Sequence, residues 1–196
     1  MKPIKKQKNT EQQLKLFQQK TQKTRREHGG SLAVGKRRAR RPLHLKQSHH
    51  ITMKSHHALG ARSLFRHKKM IHSLLKKNSF KFRVKVYEIA IQGNHIHLLV
   101  KARDRLGIQN FFRVIAGHIA QRVLTECPLK VAPGGAPPKS TGCKKNQRKF
   151  WSYLLYSRIV SWGREFKTVI KYIQRNTLEL LQLMAYRPRS QSRSTA

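Results

Sequence analysis

His95 and His97 are separated by one isoleucine within Gly93-Asn94-His95-Ile96-His97-Leu98-Leu99-Val100. On an extended strand side chains alternate between faces, so two imidazoles two residues apart project together and can reach one metal ion. The stretch 82–91 before them is rich in valine and isoleucine. Between the two runs Gly93-Asn94 reads as a two-residue hairpin loop, with glycine where a type II′ turn needs a positive φ. That pairing sets Ile91 opposite Ile96 and Ile89 opposite Leu98 on an apolar face that Tyr87 shares. The other face collects His95 and His97 beside Ala90, with Glu88 diagonally within reach of His97. Composition weighs against the pair, because 11 histidines in 196 residues give roughly one His-x-His by chance. Its hairpin context and a helix further along the chain lift it above that background.

That helix is expected from about residue 163 to residue 184. At about 100° per residue, Phe166, Val169, Ile170, Ile173, Thr177, Leu180 and Leu181 cluster on one face, which must bury itself on the rest of the domain. Tyr172 and Asn176, four residues apart, share a flank of that face, and Lys171 and Arg175 lie further round toward solvent. A tyrosine so placed is commonly a half-buried packing residue with its hydroxyl in water. The chemical alternative is that the flank faces the histidines, so that Asn176 completes a metal site and Tyr172 is a nucleophile.

The elements that must hold these residues follow from periodicity. Residues 43–54 read as a first strand, with His50, Thr52 and Lys54 alternating against Ile51 and Met53. Residues 59–77 read as a helix whose buried stripe is Leu64, Ile71, Leu74 and Leu75, and 82–100 as the hairpin. In the helix 106–126, Ile108, Phe111, Phe112, Ile115, Ile119 and Val123 repeat at three and four residues, while His118 and Gln121 fall outside the stripe. After a Pro-, Gly- and Lys-rich loop at 128–149, the aromatic and branched stretch 150–161 reads as a fourth strand. The order β-α-β-β-α-β defines an α+β, ferredoxin-like sandwich with an additional C-terminal helix carrying the candidate tyrosine. Two helices cover one face of the sheet, and the other is left for ligands. His49-His50 and His56-His57 read as polar surface and phosphate contacts, since adjacent histidines on a strand face opposite ways.

Charge narrows the partner. Lysine and arginine number 44 against 7 acidic residues, a formal net charge of +37, which calls for a polyanion; nucleic acid is favoured over an acidic membrane surface. The same charge disfavours a histidine-rich metal store. No apolar run is long enough for a spanning helix, no secretory signal is legible, and two cysteines make neither a disulfide framework nor a zinc spacing. Residues 1–42 read as a basic, largely flexible arm, 43–184 as the domain and 185–196 as a disordered tail. Candidate phosphate contacts are Lys36, Arg37, Arg38, Arg40 and Arg41 in the arm, Lys144, Lys145 and Arg148 in the mobile loop, and Lys171 and Arg175 on the last helix.

Asn94-His95-Ile96-His97-Leu98-Leu99-Val100, together with Phe150-Trp151 leading through Arg158 to Lys171-Tyr172-Ile173-Gln174-Arg175-Asn176, resembles the tyrosine transposases of the IS200 and REP-associated type. These belong to the His-hydrophobic-His class of single-strand endonucleases. The resemblance spans roughly residues 43–180 and departs from the family's pattern at Gly93, where proline is common, and at Asn176-Thr177, where Asn-Pro is common. It implies that Tyr172 is the nucleophile, that His95, His97 and Asn176 hold Mg²⁺ or Mn²⁺, and that single-stranded or hairpin DNA is cleaved and rejoined through a 5′-phosphotyrosine. It also implies a monomer or homodimer, cytoplasmic and associated with the nucleoid. The alternative is a catalytically inactive, domesticated protein that binds DNA or RNA with the same fold.

Overall fold

The computed structural model describes residues 26–36, 39–128 and 149–185. Most of the arm, Arg37, Arg38, Lys144, Lys145, Arg148, the rest of the 129–148 loop and the tail from residue 186 lie outside the described residues. The strands are β1 (Glu27–His28), β2 (Ser48–Lys54), β3 (Val84–Ile91), β4 (His95–Ala102) and β5 (Tyr156–Val160); the helices are α1 (Lys68–Lys81), α2 (Arg105–Glu126) and α3 (Arg164–Leu180). All strand pairs are antiparallel, in the order β1-β5-β2-β4-β3. The four longer strands with α1 and α2 form the expected split β-α-β-β-α-β sandwich. The fifth is short: Glu27 and His28, within the stretch read as an arm, pair with Arg158 and Ser157 of β5. Among the described residues no helix is long and apolar enough to cross a membrane.

One face of the sheet carries the main core. Ile51 and Met53 of β2 and Ile96, Leu98 and Val100 of β4 are buried with Ile71 and Leu75 of α1 and Ile108, Phe111, Ile115, Ile119 and Val123 of α2. The helices meet the sheet where the stripes of the sequence require. Asp104 caps α2 by accepting a hydrogen bond from the Gly107 backbone N–H. Glycine is needed at 107, because a Cβ there would stand 2.7 Å from the Phe82 carbonyl oxygen.

Several boundaries differ from the sequence expectation. β2 begins at Ser48 rather than near residue 43, and α1 begins at Lys68 rather than 59. Residues 60–62 form a 3₁₀ turn, after which Leu64 is fully buried and its N–H donates to the Gly93 carbonyl at 2.8 Å. Ser63 Oγ also donates to that carbonyl, and the Asn94 carbonyl accepts from Ser55 N at 2.9 Å. The hairpin loop is therefore braced from outside, and neither Gly93 nor Asn94 takes a positive φ, so the expected type II′ turn is not formed. The fourth strand is shorter than 150–161. Phe150 is buried in the core, and Trp151 donates its indole N–H to the Ala116 carbonyl of α2 at 2.7 Å. These aromatics close the end of the core, which is why their density misled the strand reading.

Along the hairpin Ile91 pairs with Ile96, Ala90 with His97 and Ile89 with Leu98, as the alternation requires. A bulge between Val86 and Glu88 then shifts the register. It turns Tyr87 off the apolar core face and against Phe166 of α3, ring centroids 5.2 Å apart. The face expected to stay open is thus partly roofed by α3, whose Val169 and Ile173 bury Ala90, Leu99 and Val160.

Candidate active site

The roofing helix is set by a short sequence of contacts. Gly163, at φ 88°, reverses the chain directly after β5, a conformation open to glycine at no steric penalty. Two residues on, Glu165 accepts from Ser161 N at 2.9 Å and pairs with Arg158 of β5 at 2.7 Å and with Arg26 at 2.9 Å. Burial alone would raise the Glu165 carboxyl, but these donors and cations hold it below its ordinary value. Phe166 then packs on Tyr87 and Trp162. One turn further Val169 and Ile173 settle on Leu99. At its far end α3 is tied to the hairpin, where Gln92 Nε2 donates to the Asn176 carbonyl at 2.5 Å.

Between these anchors the helix flank lies over the histidines. The Tyr172 ring stands edge-on to His97, centroids 5.5 Å apart at 85°, and His95 and His97 meet edge-on at 4.9 Å. His97 is 5 % exposed and Asn176 4 %. The structure therefore brings His97, His95 and Tyr172 together, with Asn176 one turn beyond the tyrosine on the same helix. Glu88 is directed elsewhere, accepting from Gln174 of α3 at 3.0 Å. Lys171 is exposed, and Arg175 is paired with Glu179 at 2.7 Å. In the arm, Lys36 and Arg40 are exposed. The Arg41 guanidinium braces β5 through Ser157 Oγ and the Leu155 carbonyl and lies over the Phe112 ring; burial brings its pKa down to about 10.

Two neighbours of His97 were not read from the sequence. His50 Nε2 and Thr52 Oγ1 of β2 each lie 3.1 Å from His97 Nδ1. His50 also stacks on the His97 ring at 5.3 Å and meets Tyr172 edge-on at 6.0 Å. The reading of His49-His50 as polar surface is thus corrected, and the two rings point opposite ways. His49 is 1 % exposed on the core face and accepts the His44 N–H at 3.1 Å. Burial pushes both down to about 4, with His44 and Arg41 adding to the effect on His49 and Arg158 to that on His50, so each is neutral at pH 7. The signal for His50 was its alternation with Thr52, which became meaningful only with the β2–β4 register that sets Thr52 beside His97.

The donor chemistry suits a divalent cation. His95 Nδ1 is hydrogen-bonded to Asn94 Oδ1 at 2.7 Å, and His97 Nδ1 faces Thr52 and His50. Carbonyl and hydroxyl partners on Nδ1 favour the tautomer whose Nε2 lone pair can meet a metal, the usual outer-shell arrangement of ligating histidines. Among the described residues no three of His, Cys, Asp and Glu gather as a metal cluster, so a third protein donor would have to be of another kind, such as the Asn176 amide. Two of the other tyrosines, Tyr87 and Tyr156, are less suited to nucleophilic use. Burial raises the Tyr87 phenol, and burial with the nearby Glu27 carboxylate pushes Tyr156 up to about 12.

A family model described as "Transposase IS200 like" matches residues 57–176. That span contains both histidines and Tyr172 and ends on Asn176, while His50 and Thr52 lie before it. No curated protein matches the chain. Among solved structures, one of a REP-associated tyrosine transposase bound to a REP hairpin is similar at 12 % identity over 74 % of each chain, with a TM-score of 0.48. Another, of a candidate transposase from Deinococcus radiodurans R1, is similar at 13 % identity over 72 % of this chain and 98 % of the other, with a TM-score of 0.39.

Proposed function

The chain belongs to the family of IS200-like transposases, and from that premise we propose that it cleaves and rejoins single-stranded DNA near hairpins, with Tyr172 as the nucleophile. The observation that carries this reading is the edge-on approach of Tyr172 to His97 beneath a helix anchored at both ends. His95, His97 and Asn176 are the residues that would hold Mg²⁺ or Mn²⁺. Such an ion, when bound, neutralises and polarises the scissile phosphate.

The steps assigned to the protein balance without an energy source. Tyr172 Oη loses its proton to solvent and forms a bond to phosphorus, while the bond from phosphorus to the 3′-oxygen breaks and that oxygen takes a proton from solvent and leaves as a 3′-hydroxyl. The DNA 5′ end remains on the enzyme as a phosphotyrosine, which conserves the ester for a later attack by a 3′-hydroxyl. His50 and Thr52 hold the His97 ring in place from the sheet side, and α3 holds the phenol from above. The surrounding charge draws the strand in. Among the described residues, Glu27 is engaged by Tyr156, Glu88 by Gln174, Glu126 by His67, Glu165 by Arg26 and Arg158, Glu179 by Arg175 and Asp104 by a helix cap, leaving the lysines and arginines at the surface largely unopposed toward a polyanion.

The experiment is incubation with labelled single-stranded and hairpin-bearing oligonucleotides plus Mn²⁺, followed by a denaturing gel. A covalent protein–DNA band lost in Tyr172→Phe is expected. DNA binding without any such band from the unmodified protein would instead mark a nucleic-acid-binding protein that does no cleavage.

A further inference from the structure

Phe80 is 89 % exposed, the most exposed large hydrophobic residue described. It sits in the last turn of α1 on a cleft between that helix and the β3 edge. Of the nine residues lining the cleft, five are cationic (Lys76, Lys77, Arg83, Lys85 and Arg103) and none is acidic. Four other clefts of the molecule carry only one or two cations each, so the clustering exceeds what a basic chain spreads everywhere. The backbone adds a separate sign. Arg83 holds φ 52°, the left-handed region where glycine is the less strained residue after a helix. Strain kept at an arginine that lines a cationic cleft points to a use for the side chain.

An exposed aromatic ring within a track of cations matches the way proteins hold unpaired nucleic acid, with a base stacked on the ring and phosphates met by lysine and arginine. We infer that the α1–β3 cleft is a second nucleic-acid site, which binds an unpaired strand with a base stacked on Phe80. This rests on the reading that the chain handles single-stranded DNA, and it adds a surface apart from the histidines. Arg103 lies six residues beyond His97, about 20 Å along the strand direction. The cleft would therefore hold the strand at a distance from the bond being cut, fixing its path without touching the reacting atoms. Neither the ring nor the arginine has a packing role that its loss would disturb, so variants here should fold.

The test measures binding of the full chain to a fluorescent single-stranded oligonucleotide in EDTA, beside a duplex of the same sequence. Phe80→Ala and Phe80→Leu should each weaken single-strand binding by about tenfold, with Phe80→Trp restoring it and duplex binding little changed. Arg83→Gly should leave the melting temperature equal or higher while reducing the slope of log affinity against log salt by about one. Unchanged single-strand affinity in Phe80→Ala, full affinity in Phe80→Leu, or equal losses on duplex would each overturn the inference. The adduct assay keeps the two readings apart. An adduct from the unmodified protein with no effect of Phe80→Ala removes the cleft alone. A Phe80 effect without any adduct removes the cleavage reading and keeps the cleft.

Discussion

Beneath α1 and α2, strands β2 and β4 present Ile51, Met53, Ile96, Leu98 and Val100, each 2 % exposed or less. Beneath α3 the same two strands present His50, Thr52, His97 and Leu99. Both faces are covered by helix, yet one is aliphatic apart from His49 while the other buries imidazoles that bond to one another. A buried polar group without a partner is expensive, so the second face requires matched neighbours where the first, His49 apart, requires matched volumes. His49 and His50 make the contrast within one dipeptide, since one ring supports the core side and the other supports His97.

The comparison is broken most severely at His95 and His97, the histidines proposed to hold the metal. His95→Ala or His97→Ala, like chelation by EDTA, should lower the rate of adduct formation on the order of 100-fold or more. The melting temperature of His95→Ala, whose ring is only half-buried, should move far less than that of a core variant. Gel kinetics beside calorimetry checks both halves, and a rate loss matched by unfolding would erase the distinction between the faces.

The next effect belongs to the aliphatic face. Leu98→Ala removes a side chain that is 1 % exposed and should cost about 2–5 kcal/mol in denaturant unfolding. At temperatures where the variant remains folded, its adduct rate should stay near that of the parent.

Acid should strike both faces through the buried rings. The unfolded chain protonates its histidines through about pH 6.5, whereas His49 and His50 resist until about 4 because burial disfavours the charged form. Stability should therefore be full above pH 6.5 and fall as the pH drops toward 4, by on the order of 3 kcal/mol for each ring. Unfolding curves across that window should be flatter in His49→Gln than in the parent.

A smaller effect sharpens the role of His50. His50→Ala should lower metal affinity or adduct rate by about 10–100-fold, as loss of a supporting hydrogen bond does at ligand histidines. His50→Gln, which can still bond His97 Nδ1, should recover part of that loss in a Mn²⁺ titration. Equal behaviour of the two variants would show that only the volume of the ring matters.

What could be read from the sequence was what local periodicity fixes. Alternation placed Ile89 and Ile91 across from Leu98 and Ile96, and the helical period placed Tyr172 and Asn176 on one flank of α3. His50 was not legible as a neighbour of His97, because the β2–β4 register joins residues nearly fifty positions apart. The Tyr87 bulge escaped as well, since an extra residue in a strand reverses the face of its neighbours without any glycine or proline to mark it. Residues 60–67 looked helical because Leu64 fits the stripe of α1. In the fold it is buried from a turn in which its own N–H and the Ser63 hydroxyl brace the Gly93 carbonyl instead.

The central claim is that Tyr172 becomes covalently joined to a DNA 5′ end, and locating the modified residue tests it most directly. The adduct formed with Mn²⁺ would be trimmed with nuclease, digested with trypsin and sequenced by mass spectrometry. Cleavage after Lys171 and Arg175 isolates Tyr172-Ile173-Gln174-Arg175, and this account predicts that the nucleotide phosphate is on the tyrosine of that peptide. Its presence on Tyr87, Tyr153, Tyr156 or Tyr186, with the 172–175 peptide unmodified, would contradict the account.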